Sequence, residues 1–264
     1  MILNDGNMKN PFLDFKHITV TDPDLPLDRL VRENRRVLDD LLAAYRGLPQ
    51  DRVKEFCRLL SHGLKFNAYK AWLLGLELPK FVADTLDSAS SVYASSLRMV
   101  GEIQYAPHDI EELCGFIGLS READFELHGP MGLYISALIN ASDERFFRLD
   151  LHPYPVRHHF LGFRLEADKN LLVKGDLGHF SGAGLCGGFL EVNGSTGSWC
   201  GAGMASGHIH IAGNALSKTG ERMTGGQISV DGSIREIARQ RSGGEIRNAS
   251  EVFAPVAHGK DNAQ

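Results

Sequence analysis

From Leu171 to Asn248 apolar and polar residues alternate in short runs, and the runs return every nineteen positions. Leu171 and Val173, Leu190 and Val192, Ile209 and Ile211, and Ile228 and Val230 are the apolar members, separated by Leu172, Glu191, His210 and Ser229. Period two over so few residues is the mark of a strand with one buried face. Each run is followed by glycine, which gives the column Gly175, Gly194, Gly213 and Gly232. A second column holds Gly188, Gly207 and Gly226, with Gly244 one residue early. Phe180, Trp199, Lys218 and Ile237 recur five positions after the first glycine, and Leu185, Met204, Met223 and Ser242 ten after it. These columns predict ladders inside a solenoid of short parallel strands spaced ~4.8 Å apart. Glycine suits the bends because it reaches positive φ and, lacking Cβ, admits the next coil.

The same pattern predicts one more coil upstream, with Phe125 and Leu127 as strand residues, Gly129 and Gly132 at the bends, and Tyr134 and Ile139 in the ladder columns. On that reading the β-helix occupies residues 121–248, interrupted by an excursion at 152–170. Before it the period changes to that of helices. Leu27 to Tyr45, Asp51 to Gly63 and Ala68 to Leu76 carry helical apolar stripes, after a strand-like run at Phe15–Val20. A long helix from Phe81 to Ile103, rich in serine and alanine, is the expected centre of the bundle, and His108–Gly118 forms another helix. The predicted fold class is α+β: a mostly helical domain at 1–120, a glycine-punctuated right-handed parallel β-helix, and a tail at 249–264 that is poorly ordered after Ala254.

The spacing Gly-x-x-Gly-x-x-x-Gly, seen at Gly175, Gly178 and Gly182 and again at Gly194, Gly197 and Gly201, resembles the GXGXG repeat family, and Gly220 falls in the same column as the last of these. That family includes the C-terminal domain of the glutamate synthase large subunit and one of the subunits of formylmethanofuran dehydrogenase, with its formyltransferase/hydrolase counterpart. The resemblance covers residues 123–248 and implies the fold together with a structural role beside catalytic subunits. The amidotransferase and flavin or iron–sulfur activities of glutamate synthase do not carry over, because the chain begins Met1-Ile2-Leu3 and has no clustered cysteines.

Composition narrows the partners. With 264 residues the chain holds two modest domains. A net charge of −5 without a basic stripe argues against nucleic acid. The four cysteines, Cys57, Cys114, Cys186 and Cys200, have no metal-binding spacing. No apolar run reaches the ~20 residues of a membrane span, and no signal peptide opens the chain, so a cytoplasmic location is expected.

Histidines are the remaining candidates for chemistry. His152, His158, His159 and His179 lie in or near the excursion, while His208 and His210 share the outward face of one strand with Glu191 alongside. A metal needs three or four converging ligands, and this spacing promises no such set, so neither metal nor cofactor is expected. Two functions follow from these residues. One is a non-catalytic scaffold that docks catalytic subunits of a multisubunit enzyme through Glu191, His208 and His210, with homo-oligomerisation left open. The alternative is a free-standing small-molecule enzyme or binding protein with its site between bundle and β-helix, lined by the other four histidines.

Overall fold

The computed structural model describes residues 81–101, 105–118, 125–154, 157–249 and 251–254. The expectations for the first 80 residues, including the run Phe15–Val20, the three helices before Pro79 and Cys57, lie outside the described residues, as does 255–264. Among the described residues three helices, α1 (Phe81–Val100), α2 (Pro107–Gly118) and α3 (Phe125–Ala141), precede seven strands. These are β1 (Phe146–Asp150), β2 (Asn170–Lys174), β3 (Cys186–Asn193), β4 (Ser206–Ile211), β5 (Gln227–Val230), β6 (Glu245–Asn248) and β7 (Glu251–Phe253). The strands form one sheet in sequence order, parallel from β1 to β6, which makes a β-solenoid of about four turns.

Register follows the repeat. Asn170 pairs with Phe189, Phe189 with His208 and His208 with Gln227, each nineteen residues on, so Leu171, Leu190, Ile209 and Ile228 form one fully buried ladder. Val173, Val192, Ile211 and Val230 form the next, and Leu185, Met204 and Met223 line the opposite inner side. Ser242, which ends that last column, is exposed. The final full coil is one residue short, Gln227 pairing with Glu245, and this is why Gly244 arrives early.

The predicted coil at 125–139 is instead helix α3, and this moves the start of the solenoid to Phe146. Residues 131 to 140 are all buried, whichever side they face, as expected of a helix enclosed by neighbours. Gly129 and Gly132 are therefore helical residues and not bends. Gly132 is needed because a Cβ there would collide with the His159 carbonyl. The ladder places expected for Tyr134 and Ile139 are filled by Phe160 and Leu165 from the supposed excursion. That segment completes the first coil, which is longer than the others: Phe146 pairs with Asn170, twenty-four residues on.

Among the described helices α3, rather than the long α1, is the central one. α1 buries one face, Ala89, Val92, Tyr93, Ser96 and Val100. Its serines stay helical by bonding back one turn, as Ser96 Oγ does to the Val92 carbonyl at 2.9 Å. The tail opens with a strand. β7 runs antiparallel to β6, and the Arg241 guanidinium donates to the Phe253 and Ala254 carbonyls at 2.9 and 3.0 Å, so the chain folds back over the last open edge.

Candidate functional site

The histidines of the first coils sit at a corner built by repetition. Phe160, Phe180, Trp199 and Lys218 occupy one column with φ between 57° and 63°. Positive φ is costly for large side chains, yet here it turns three aromatic rings onto a common stack. Phe160 lies 4.9 Å from Phe180 and Phe180 5.0 Å from Trp199, nearly coplanar at 11° and 9°. Two residues on, Gly162, Gly182, Gly201 and Gly220 share a second positive-φ column. Lys218 ends the stack and pairs with Glu236 at 2.7 Å.

His159 and His179 precede the aromatic column and are stacked with centroids 5.1 Å apart. His159 Nδ1 accepts the His179 backbone N–H at 2.8 Å, and His179 Nδ1 accepts that of Ser198 at 3.0 Å. Each ring thus takes a bond from the following coil, and the neutral ring carries its proton on Nε2. Burial, helped by the nearby Arg157 charge, lowers the His179 pKa to about 4. His158 is fully buried beside this pair. His152 is exposed on the preceding turn, where its N–H donates to Asp150 Oδ1 at 3.2 Å. The corner therefore gathers three of the four histidines, and it uses His159 and His179 to join coils.

The remaining glycines divide into two groups. Gly175, Gly194, Gly213 and Gly232 stack just past the strand ends and Gly178 and Gly197 at the turn after them, whereas Gly188 and Gly207 lie inside β3 and β4 and Gly226 immediately precedes β5, where a Cβ would meet backbone of the preceding coil. At Gly194 and Gly213 the reason is proximity alone. A Cβ on either would strike the carbonyl of the glycine one coil earlier.

Between helices and solenoid lies a polar hub that the repeat pattern does not reveal. Asn140 of α3 donates to Tyr93 Oη at 2.6 Å and to the Arg164 carbonyl at 3.1 Å, and its Oδ1 accepts the Glu166 N–H at 3.2 Å. Ser136 Oγ donates within reach of the Phe160 carbonyl at 3.1 Å and accepts the Phe163 N–H, also at 3.1 Å. Tyr93 packs its ring edge-on to Phe163 at 5.3 Å, and burial raises its hydroxyl to about 12. Lys169, buried in the same region, donates to the Ser142 and Glu144 carbonyls at 2.6 and 3.0 Å and so ties down the chain leaving α3. The junction is packed, with its hydrogen bonds spent on holding α1, α3 and the first coil together.

On the outer wall Glu191 and His210 are register neighbours, and so are Phe189 and His208, whose rings stack at 5.5 Å. His210 Nε2 pairs with Asp231 at 3.1 Å, and His208 Nε2 lies 3.3 Å from Ser229 Oγ. Partial burial, followed by the charges of His210 and Arg247, lowers the His208 pKa. Towards β1 the wall opens into a groove of about 380 Å³ lined by Phe146, Arg148, Leu172, Phe189 and Glu191 among others. Its signal in the sequence is the apolar residue at outward positions, Phe146, Leu172 and Phe189, where alternation predicts polar ones.

Among the described residues no three His, Cys, Asp or Glu side chains converge on a metal position. The described cysteines are all free thiols. Burial pushes Cys114 and Cys200 up, the latter to about 12, and Cys186 is also raised, so all three stay protonated near neutrality. No described helix is long and apolar enough to cross a membrane. Compared with family models, with curated proteins and with solved structures, the chain matches none.

Proposed function

We propose that the chain is a non-catalytic scaffold subunit of a cytoplasmic multisubunit enzyme, of the kind the GXGXG resemblance implies: glutamate synthase-like or formylmethanofuran dehydrogenase/formyltransferase-hydrolase-like. In this reading the β-helix is right-handed, as parallel crossovers nearly always are, and a helical N-terminal domain packs at its first coil.

The observation that carries the proposal is the outer wall. On β3 to β6 Glu191, His210, Ser229 and Arg247 lie in one register row, with Asp231 paired to His210 beside it. A mixed-charge wall of this kind suits docking, where complementary charges steer and orient a partner. The corner histidines support the same reading, since the Nδ1 atoms of His159 and His179 are engaged by backbone N–H groups.

The test is isolation of the chain from its native host in mild salt, followed by cross-linking and activity assays. Catalytic subunits linked to β3–β5, and no turnover by the chain alone, are the expected result. The double change Glu191→Lys with His210→Glu releases the partner and leaves the circular dichroism spectrum unchanged. A chain recovered without other subunits and turning over a small molecule by itself would overturn the proposal.

A further inference from the structure

The groove at the first three strands has a charge order that matches its own copy. Along the stack, register aligns Arg148 with Leu172 and Leu172 with Glu191, and in the neighbouring row Phe146 with Asn170 and Asn170 with Phe189. Arg148 and Glu191 are two strand spacings apart, roughly 10 Å. Neither has an ion-pair partner among the described residues. Phe146 is 75 % exposed, the most exposed large apolar side chain among those described, and it stands at the groove's edge.

We infer that this face is a homodimer interface, two copies packing wall to wall about a two-fold axis that runs parallel to the strands through Leu172. That operation exchanges β1 with β3 of the other copy and leaves β2 facing itself. Arg148 then meets Glu191 of the second copy, and Glu191 meets Arg148. Phe146 meets Phe189, and Leu172 meets Leu172. A two-fold interface must be self-complementary, and the sequence cation, apolar, anion along one row is self-complementary in this orientation. The other in-plane two-fold, along the stack, would set Arg148 against Arg148 and Glu191 against Glu191. The one like-charge meeting in the favoured arrangement is Lys174 with its copy, at the strand ends, where long side chains turn outward into water.

Three strands against three is a small contact, so the dimer belongs among weak, concentration-dependent associations. Charge pairing decides its orientation, and apolar contact of Phe146, Leu172 and Phe189 excludes water around it. The inference does not depend on the scaffold reading. It concerns the purified chain alone, and a failure of either leaves the other standing.

Sedimentation equilibrium over a range of protein concentrations tests it. The wild-type chain dimerises reversibly. Arg148→Glu and Glu191→Lys each weaken self-association at least ~10-fold, because each places like charges in both symmetric pairs. An equimolar mixture of the two variants recovers a dimer. The carboxylate introduced by Arg148→Glu in one chain then meets the ammonium introduced by Glu191→Lys in the other, while the native pair survives across the axis. Both positions are on the outward face, and circular dichroism checks that each variant is folded. A wild-type chain that stays monomeric near ~1 mM, single variants that associate as well as wild type, or a mixture that stays monomeric would each overturn the inference. Should either reversal fail to fold, Phe146→Ser serves in its place, and undiminished association of that variant would count against the interface in the same way.

Discussion

The regular coils from β2 to β5 and the junction of α3 with the first coil are both tightly packed, but by opposite means. In the coils each residue meets the equivalent residue one turn away: Leu190 on Ile209, Phe180 on Trp199, the His179 ring under the Ser198 N–H. At the junction nothing is equivalent to anything. Asn140 and Ser136 each satisfy particular backbone groups of the first coil, and Asn140 also donates to the Tyr93 hydroxyl, whose ring packs on Phe163. Repetition multiplies one workable contact, whereas a solenoid end needs a separate solution. The two regions should therefore fail differently.

The largest effect is expected within the coils. Gly194→Val drives a branched side chain into the Gly175 carbonyl of the preceding turn, and neither backbone can retreat without breaking the strand pairing on both sides. Destabilisation of about 4 kcal/mol or more follows, read as a fall in urea midpoint or as insoluble expression. Gly213→Val, one coil along, behaves alike. A thermal midpoint unchanged in both would mean that the coils tolerate more separation than their backbone contacts indicate.

Asn140→Ala probes the other region. It removes the acceptor of the Glu166 N–H and a donor to the Arg164 carbonyl, both part-buried bonds, so the cost of each falls towards the lower end of the ~1–3 kcal/mol typical of a buried group left without a partner. The loss should appear locally, as faster hydrogen exchange in α1, α3 and residues 160–166, while β3 to β5 keep their protection. Uniform acceleration across all strands would show that junction and coils unfold as one unit.

These differences mirror what could be read from residues alone. The coils announced themselves because each column is sampled several times, so that departures such as Lys218 and the early Gly244 did not hide the period. α3 had a single copy of the pattern, Phe125 to Ile139, in which two glycines and a tyrosine happened to fall on the repeat positions. Its continuous apolar content, Met131 to Ile139 with only Ser136 polar, is the better indicator, since a coil needs polar outward residues and α3 has almost none. The segment 152–170 misled in the other direction: most of its added residues lie between Leu151 and Phe160, which breaks the spacing while preserving the ladder. Asn140 and Lys169 were illegible for a different reason. Their partners are mainly backbone atoms distant in sequence, and no pattern of residue types marks a carbonyl that requires a donor.

A smaller effect separates the histidine corner from the hydrophobic ladders beside it. The His179 pKa is about 4 in the folded chain against an ordinary value near 6.5. The lowered value means that the unfolded chain takes up the proton first. The stability tied to the neutral ring is thus fully present above pH 6.5 and declines as pH falls towards 4, by about 3 kcal/mol in all. Urea midpoints measured from pH 7 to pH 4 should fall more steeply for wild type than for His179→Asn. Equal slopes would show that the ring is not held neutral by the corner. The hydrophobic ladders contain no titrating group and add nothing to that slope.

The smallest effect belongs on the outer wall, and it sets the limit of the comparison. Glu191 alternates with the fully buried Leu190 and Val192 in β3, so the inner neighbours carry the packing while its carboxylate faces outward between Leu172 and His210. Its side chain has no ion-pair partner among the described residues, which leaves only weak, screened interactions to lose. Glu191→Gln keeps the size and removes the charge, and should change the unfolding free energy of the monomer by no more than about 0.5 kcal/mol. The measurement belongs at low protein concentration and in moderate salt, so that self-association does not enter. A loss above about 1 kcal/mol would mean that the wall helps hold the coils in register. A near-silent result assigns the coil's stability to its inner ladders and bends, and leaves the charge order of the wall free to serve contacts made with other chains.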